Sequence, residues 1–241
     1  MNCYSSLARW YDELTEDVPY TSFLDFYNTV FREDGGEFKL ILDLCCGTGT
    51  LTTLLSEYGY DMIGVDASEE MLMEAQNNAT QKGQNILFLC QEAANLDLYG
   101  TVDACISSLD SINYIPQNEL KKLFSRLKLF IRPDGLLIFD IRSHDWLKSM
   151  DGSTFVDETD DVLCLWRADY DESRSEITYG MDIFSRKGSL WERESEFHTE
   201  YDYGVDFLSS ALEEAGFSNP NVIINGPQGE LGRIFLISRR L

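Results

Sequence analysis

Near-continuous apolar runs alternate along this chain with stretches whose apolar residues recur every three or four positions. The run FKLILDLCC reads as a buried strand and breaks off in the turn GTGT. LTTLLSEYG follows with helical spacing and closes at Gly59. YDMIGVDAS predicts a second strand ending at Asp66. Ser68 then stands where a helix cap belongs, with Glu69 and Glu70 in the first turn, where carboxylates suit the helix dipole. MLMEAQNNATQKG predicts a helix that stops at Gly83. NILFLCQEA and VDACISSLDS predict the third and fourth strands. Leu120, Leu123, Phe124, Leu127 and Phe130 fall at helical spacing, and RPDG predicts a turn before a fifth strand, LLIFDIR. Strands apolar on both faces and joined by helix-sized or loop-sized crossovers predict a doubly wound, mostly parallel sheet.

The pattern changes after residue 142. VLCLWRADYD, EITYGMDIFSR and LWERESEFHTEYDY alternate aromatic and β-branched residues with polar ones and are separated by the turns DESR and KGS. They predict an antiparallel β lobe inserted into the α/β unit. VDFLSSALEEAGF then predicts a helix closed by Gly216, and NVIIN and RIFLISR predict two closing strands, which makes a seven-stranded Rossmann-like sheet. The expected division is an N-terminal helical cap over residues 1–37, a sheet domain over 38–142 and 204–241, and the lobe over 143–203.

With 241 residues, 44% of them hydrophobic and 25% charged, the composition is globular and excludes a disordered or fibrous chain. The balance of 19 basic against 42 acidic residues excludes nonspecific attraction to nucleic-acid phosphates or anionic lipid. The lobe stretch alone carries 6 basic and 16 acidic residues, so whatever it covers experiences a negative field. No apolar run approaches the roughly 20 residues a membrane span needs. The start, MNCYSSLARWYDELTEDVPY, has neither the basic flank nor the apolar centre of a signal peptide. Six cysteines without a CxxC pair read as reduced thiols, and the expected location is the cytoplasm. Only His144 and His198 are present, with no metal-ligand spacing, so no metal site is expected.

The chemistry-bearing segment is ILDLCCGTGTLT followed by MIGVDAS. Asp43 stands near the end of one strand, and Gly47 and Gly49 let the backbone approach a ligand closely. Asp66 ends the next strand, where its carboxylate can accept both hydroxyls of a ribose. A dinucleotide fingerprint would need a third glycine where Thr52 stands. The Asp43-to-Gly49 segment instead resembles motif I of the class I S-adenosylmethionine (SAM)-dependent methyltransferases. Downstream segments resemble the same family in order. QEAANLDL is similar to its adenine-side segment, although Glu92 stands where an Asp is common. SSLDSINYI is similar to its acceptor-side motif with Asp110, Asn113 and Tyr114. YSSLARWYDEL is similar to its tyrosine-bearing cap, with Tyr4, Tyr11 and Tyr20 as candidates, and ALEEAGF to its late helix.

The resemblance implies SAM as cofactor and S-adenosylhomocysteine as product. It implies cofactor contacts on the first strand–turn–helix unit at Asp43, Cys45, Gly47, Thr48 and Gly49. Asp66, Ala67 and Met71 would follow on the second unit, with Glu92, Ala93, Asp110, Asn113 and Tyr11 beyond. Its Gly-rich turn faces the methionine moiety, and the acid at Asp66 holds the ribose. Candidate catalytic residues are Asp110, Tyr11 and His198. Cys45 and Cys46 have no Lys or His nearby in sequence to make a thiolate. The implied activity is methyl transfer to a small-molecule acceptor, with the acidic, aromatic lobe suiting an amine. Trp166, Tyr170, Tyr179 and Phe184 are the lobe aromatics whose alternation puts one face inward and one toward pocket or solvent. Two other readings share the turn: a nucleotide-dependent oxidoreductase, which Thr52 disfavours, and a non-catalytic SAM-binding or interaction protein.

Overall fold

The computed structural model describes residues 6–227 and 229–241. A short turn of 3₁₀ helix, Ala8–Trp10, leads into α1 (Tyr11–Leu14) and α2 (Tyr20–Asp34). The strand and helix alternation then runs β1 (Leu40–Leu44), α3 (Thr50–Tyr58), β2 (Asp61–Asp66), α4 (Glu69–Gln81), β3 (Leu87–Cys90), β4 (Val102–Ser107), α5 (Gln117–Phe130) and β5 (Ile131–Arg142). Next come α6 (His144–Ser149) and the strands β6 (Thr154–Glu158), β7 (Val162–Asp171), β8 (Glu176–Lys187) and β9 (Leu190–Tyr201). The chain closes with α7 (Val205–Ala215), β10 (Asn221–Ile224) and β11 (Arg233–Arg239).

The main sheet has seven strands in the order β10-β11-β5-β4-β1-β2-β3, with β11 antiparallel to both neighbours and the rest parallel. Alternation along each strand sends its apolar residues to opposite faces. Leu42, Cys105, Leu137, Phe139 and Leu236 pack against α5 and α7 through Leu123, Phe124, Leu127, Leu208 and Leu212. Ile41, Ala104, Ile106, Ile138 and Phe235 pack on the other face against Phe23, Tyr27 and Phe31 of α2 and Leu51 and Leu55 of α3. Each such fully buried side chain contributes roughly 1.5–3 kcal/mol. Strand order reverses between β1 and β4, and that reversal leaves an open crevice at their carboxyl ends.

The remaining strands form a separate antiparallel sheet, β6-β7-β8-β9, between β5 and α7. Its inner face is closed at one end by Leu7 and Trp10, which pack on Val162, Cys164, Met181 and Ile183, and at the other by Leu147 of α6. The N-terminal segment is thus divided. Residues around Trp10 belong to the lobe, whereas α2 is a face helix of the main sheet.

Three local features differ from the sequence reading. RPDG lies inside one long β5, where it survives as a register shift against β4 with Asp134 in a left-handed conformation. The helix α6, capped by Ser143 on the Trp146 amide, and the edge strand β6 were not marked by the sequence pattern. Both are short, and β6 is largely exposed, so neither leaves a periodic apolar trace.

Candidate functional site

A cavity of about 730 Å³ opens at the carboxyl ends of β1, β2 and β4. The turn after β1 builds its floor. Cys45, Gly47 and Gly49 all have positive φ, at 60°, 54° and 71°, a geometry that glycine adopts without a Cβ clash. The turn is closed by Cys46 N donating to the Val65 carbonyl and Gly49 N donating to the Cys46 carbonyl. A Cβ built on Gly47 meets nothing within 4 Å, so the backbone there is bare toward the open cavity. A Cβ on Gly49 comes within 3.0 Å of Ala75 Cβ, so this glycine serves the close packing of α4 and does not line the cavity.

Asp66 receives Gly47 N at 2.9 Å on one oxygen and Ser68 N at 2.9 Å on the other. Each oxygen keeps a lone pair free to accept a further hydrogen bond. Burial raises its pKa, opposed by the backbone N–H groups of Ser68, Gly47 and Ala67. Asp43 is buried beneath the turn and accepts the Thr52 hydroxyl at 2.6 Å. Burial pushes it up to about 7, against the Thr52 hydrogen bond and with added repulsion from Asp66. The Cys45 thiol is pushed up by burial and then by Asp66 and Asp43, which leaves it an unreactive thiol.

Thr48, Ala67, Met71, Glu92 and Ala93 line the same cavity, with Glu92 Oε2 held by Asn95 Nδ2 at 2.6 Å. Tyr11 and Tyr20 line it from the N-terminal segment, and burial raises Tyr20 to about 12. Tyr4 lies outside the described residues. The side toward the lobe is made by Phe23, Ser108, Ser111, Tyr114, Phe197 and Tyr201, with Thr199 between the last two. Of these, sequence reasoning singled out Tyr114 alone. Phe197, Thr199 and Tyr201 occupy alternate positions of β9, and that parity is the signal that could have found them.

Besides Gly49, three expected site residues stand elsewhere. Asp110 is turned away from the cavity by a left-handed backbone at Leu109 and Asp110, φ 57° and 54°, and its carboxylate binds Arg233 at 2.8 Å and Arg142 at 3.4 Å. Asn113 is fully buried as a clamp, donating to the Tyr201 carbonyl at 2.8 Å and accepting Arg142 N at 3.0 Å. His198 is fully buried on the opposite face of β9 from Phe197, with Nε2 3.1 Å from Glu196 Oε2. The lobe aromatics Trp166, Tyr170, Tyr179 and Phe184 do not line the cavity either. The lobe meets it through the edge strand β9 and not through β7 or β8.

A cavity with a bare glycine turn, an acid at the end of β2 and carboxylates with no lining Lys, Arg or His among the described residues fits a ligand that carries a ribose and a positive sulfonium. A sheet of this order with such a turn at its carboxyl ends defines the class I SAM-dependent methyltransferase architecture. Comparison with known proteins agrees. Residues 41–135 match the family model described as a methyltransferase domain. The Bacillus subtilis (strain 168) protein named "Putative methyltransferase YqeM" is 31% identical over 217 residues, which span 89% of this chain and 86% of that protein. The crystal structure of a SAM-dependent methyltransferase from Clostridium acetobutylicum superposes with a TM-score of 0.86 at 29% identity, covering 99% of both chains. A glycine/sarcosine N-methyltransferase from Halorhodospira halochloris is 30% identical over 57% of this chain and 52% of its own length. The chain belongs to the class I SAM-dependent methyltransferases, and its cofactor is SAM.

Proposed function

We propose that the enzyme methylates an amine nitrogen of a small molecule. The carrying observation is the electrostatics of the cavity wall. Asp43, Asp66 and Glu92 line it together with Tyr11, Tyr20, Phe23, Tyr114, Phe197 and Tyr201, and among the described residues no cationic side chain lines it. Such a wall attracts an ammonium by charge and by cation–π contact and repels a carboxylate or phosphate. The partial likeness to a glycine/sarcosine N-methyltransferase supports nitrogen as the acceptor atom. The absence of a lining cation favours amines without a carboxylate over amino acids.

When bound, SAM supplies an electrophilic methyl group on a positively charged sulfur. The residues present would hold it as follows. Asp66 takes the ribose hydroxyls with its two free lone pairs. Glu92 and Ala93 flank the adenine. Gly47 gives the methionine end a bare backbone, and Asp43 lies beneath as a carboxylate that a neighbouring cation favours. Tyr11 and Tyr20 close the cavity from the N-terminal segment. The lobe, through β9, covers the acceptor. The protein's task is alignment and exclusion of water, because the methyl donor is already activated.

The free thiols among the described cysteines support a reducing, cytoplasmic setting. No helix among the described residues is long and apolar enough to cross a membrane.

The test is transfer of a labelled methyl group from SAM to a panel of glycine, sarcosine, glucosamine and catechol. Turnover on the amines, with glucosamine above the two amino acids, is expected. Turnover confined to catechol would overturn the amine assignment.

A further inference from the structure

After β4 the chain makes a strained turn. Leu109 and Asp110 are consecutive non-glycine residues in the left-handed region, φ 57° and 54°. Such a backbone persists only where its surroundings over-determine it, and it collects at functional sites. Here Asp110 N donates to Asp140 Oδ2 at 2.9 Å, the Asp110 carboxylate binds Arg233 at 2.8 Å, and Asn113 N donates to the Asp110 carbonyl at 2.8 Å. The turn changes what the cavity receives from this loop. Asp110 is committed to the arginines, while Ser108 before it and Ser111 after it line the wall.

The two hydroxyls are held, each in its own way. Ser111 Oγ donates its one proton to the Ser108 carbonyl at 2.7 Å, so toward the cavity it can only accept. Ser108 Oγ stands 2.7 Å from the hydroxyl of Tyr27, a residue of α2 that is sealed from solvent. The phenol is the more acidic of the two and donates, which fixes Ser108 Oγ and leaves it a lone pair and its own proton. The Tyr27 ring is itself fixed by Phe31, stacked at 6.5 Å, and Phe235, edge-on at 6.5 Å. Both serines belong to the loop after β4. The carboxylates Asp43, Asp66 and Glu92 stand at or just past the ends of β1, β2 and β3.

An amine attacks only in its neutral form. A carboxylate beside the nitrogen would favour the ammonium, whereas a neutral hydroxyl oxygen accepts an N–H with far less of that bias. The strained turn thus withholds an acid and offers two hydroxyls. When the nitrogen turns its lone pair to the methyl group, its N–H bonds point away from the cofactor turn. Resting on the amine reading, we propose that Ser108 and Ser111 bind the acceptor nitrogen through two N–H bonds, so that the enzyme selects primary amines and adds a single methyl group. In the step, the lone pair forms the N–C bond and the C–S bond breaks with its electron pair left on sulfur. The nitrogen, now positive, releases one proton to water. The neutral product has one N–H fewer. Facing the same two oxygens, it leaves one of them unpaired and sets a methyl where an N–H had been, so a second transfer is disfavoured. Ser108 and Ser111 are acceptor-binding residues, and Tyr27 is a positioning residue that acts through Ser108.

The experiment uses full-length wild type, Ser111→Ala, Ser108→Ala, Tyr27→Phe and Ser111→Asp. Labelled SAM is offered with two matched pairs, glucosamine with N-methylglucosamine and glycine with sarcosine, and products are resolved by mass as monomethyl or dimethyl. In the wild type, kcat/KM for the primary amine should exceed that for its N-methyl partner by about tenfold or more, with monomethyl product dominant. Ser111→Ala should lower kcat/KM on the primary amine about threefold to tenfold, bring the paired ratio close to one and leave SAM affinity unchanged. Tyr27→Phe should move the ratio as Ser108→Ala does but less, and the double variant should match Ser108→Ala alone. A loss of packing would instead add to it. Ser111→Asp should lower both KM and kcat near about pH 7 and move the rising limb of the pH profile up by about one unit or more, because the added charge holds the ammonium. Calorimetry of each pair on the enzyme with S-adenosylhomocysteine reads the same preference without turnover. Equal wild-type use of primary and N-methyl amines would overturn the proposal and leave the amine reading standing. So would a paired ratio untouched by both Ser111→Ala and Ser108→Ala. SAM affinity lost in step with turnover in Ser111→Ala would overturn it by giving the pair to the cofactor. Methylation confined to catechol would sink the amine reading and this proposal with it.

Discussion

The Thr52 hydroxyl donates to Asp43 across 2.6 Å in a place closed to solvent. The residue that interrupts a dinucleotide glycine pattern is therefore the one that orients the acid beneath the SAM turn. Asp43 is raised to about 7 by burial, against this hydrogen bond and with repulsion from Asp66. In the unfolded chain it titrates near about 3.9. Between those values the folded protein holds a proton that the unfolded chain has released, so stability falls as pH rises across the window and levels off above it. Asp43→Asn removes this dependence. Urea unfolding over about pH 4 to about pH 8 should show the variant gaining on the wild type by on the order of 2–4 kcal/mol. Parallel curves would contradict the account. SAM affinity of the wild type should also rise with pH through about 7, since a carboxylate holds a nearby cation and a carboxylic acid does not.

Asp66 carries two loads. Its oxygens fix the turn through Gly47 N and the start of α4 through Ser68 N, and their remaining lone pairs face the cavity. Asp66→Asn keeps the size and one acceptor oxygen but places an NH₂ against a backbone donor. Losing charge-assisted bonds should cost about 1.5–3 kcal/mol of SAM binding, roughly tenfold to a hundredfold. Calorimetric titration with SAM decides it, and undiminished affinity would remove Asp66 from the ribose assignment.

The two turn glycines should fail differently. Gly47 has φ 54° and open space in front of it, so Gly47→Val strains the backbone by about 1–2 kcal/mol and fills the cavity. Gly49 has φ 71° and Ala75 Cβ 3.0 Å from the missing methyl, so Gly49→Val pushes α4 off the turn. Cooperative melting without SAM binding is expected for the first, and a markedly lower melting temperature for the second. If Gly47→Val still binds SAM, the bare turn does not face the cofactor.

The strand and helix alternation, the Ser68 cap and the closing Gly216 were legible because each is a local pattern with a local cause. The cap is explicit in the structure as Met71 N donating to Ser68 Oγ at 3.1 Å. The side of the cavity built by the glycine turn was legible for the same reason: Asp43, Gly47 and Asp66 lie on one strand–turn–helix–strand run. The side toward the lobe was not. Asp110, Asn113 and His198 are polar residues beside the right strands, yet each is consumed by another partner: Arg233 and the Tyr201 carbonyl, both distant in sequence, and for His198 the Glu196 carboxylate two residues away, with the Tyr114 ring against it. The lobe aromatics were visible as alternation, but which strand of a meander forms its edge is a tertiary fact. That is why Phe197 and Tyr201 replace Trp166 and Tyr179 at the cavity.

Asp12 latches the N-terminal segment to the SAM turn. Its carboxylate accepts Thr48 Oγ1 at 2.5 Å, Thr50 Oγ1 at 3.3 Å and Asn78 Nδ2 at 2.9 Å, and Asn78 also donates to the Thr48 carbonyl at 3.0 Å. The adjacent Tyr11 lines the cavity, so the latch sets how that ring sits. Asp12→Ala should raise KM for SAM about fivefold to thirtyfold, the loss of about 1–2 kcal/mol of hydrogen bonding at a part-exposed site, with kcat little changed. Asn78→Ala should move KM the same way by less. Steady-state kinetics with varied SAM decides it, and unaltered KM in both variants would show that the segment is held by Leu7 and Trp10 on the lobe alone.

Phe197 stands at the rim of the cavity on the strand that brings the lobe to it. Its ring lines the cavity on the lobe side yet is 58% exposed, so it contributes little to folding. It lies across Gly180 of the paired strand β8, where an added Cβ would come within 3.2 Å of the ring edge. An ammonium passing this rim would find an aromatic face, an interaction of about 0.5–2 kcal/mol. Phe197→Ala should therefore raise the acceptor KM roughly twofold to thirtyfold while SAM affinity and the melting temperature stay near wild type. Gly180→Ala should shift the ring by a few tenths of an ångström and change the ranking among amine acceptors more than it changes stability. The pair of measurements that decides is acceptor KM against SAM affinity for each variant. A Phe197→Ala enzyme that loses SAM binding in step with acceptor binding would mean that β9 covers the cofactor, and the acceptor would then have to enter beside Tyr11 and Tyr20.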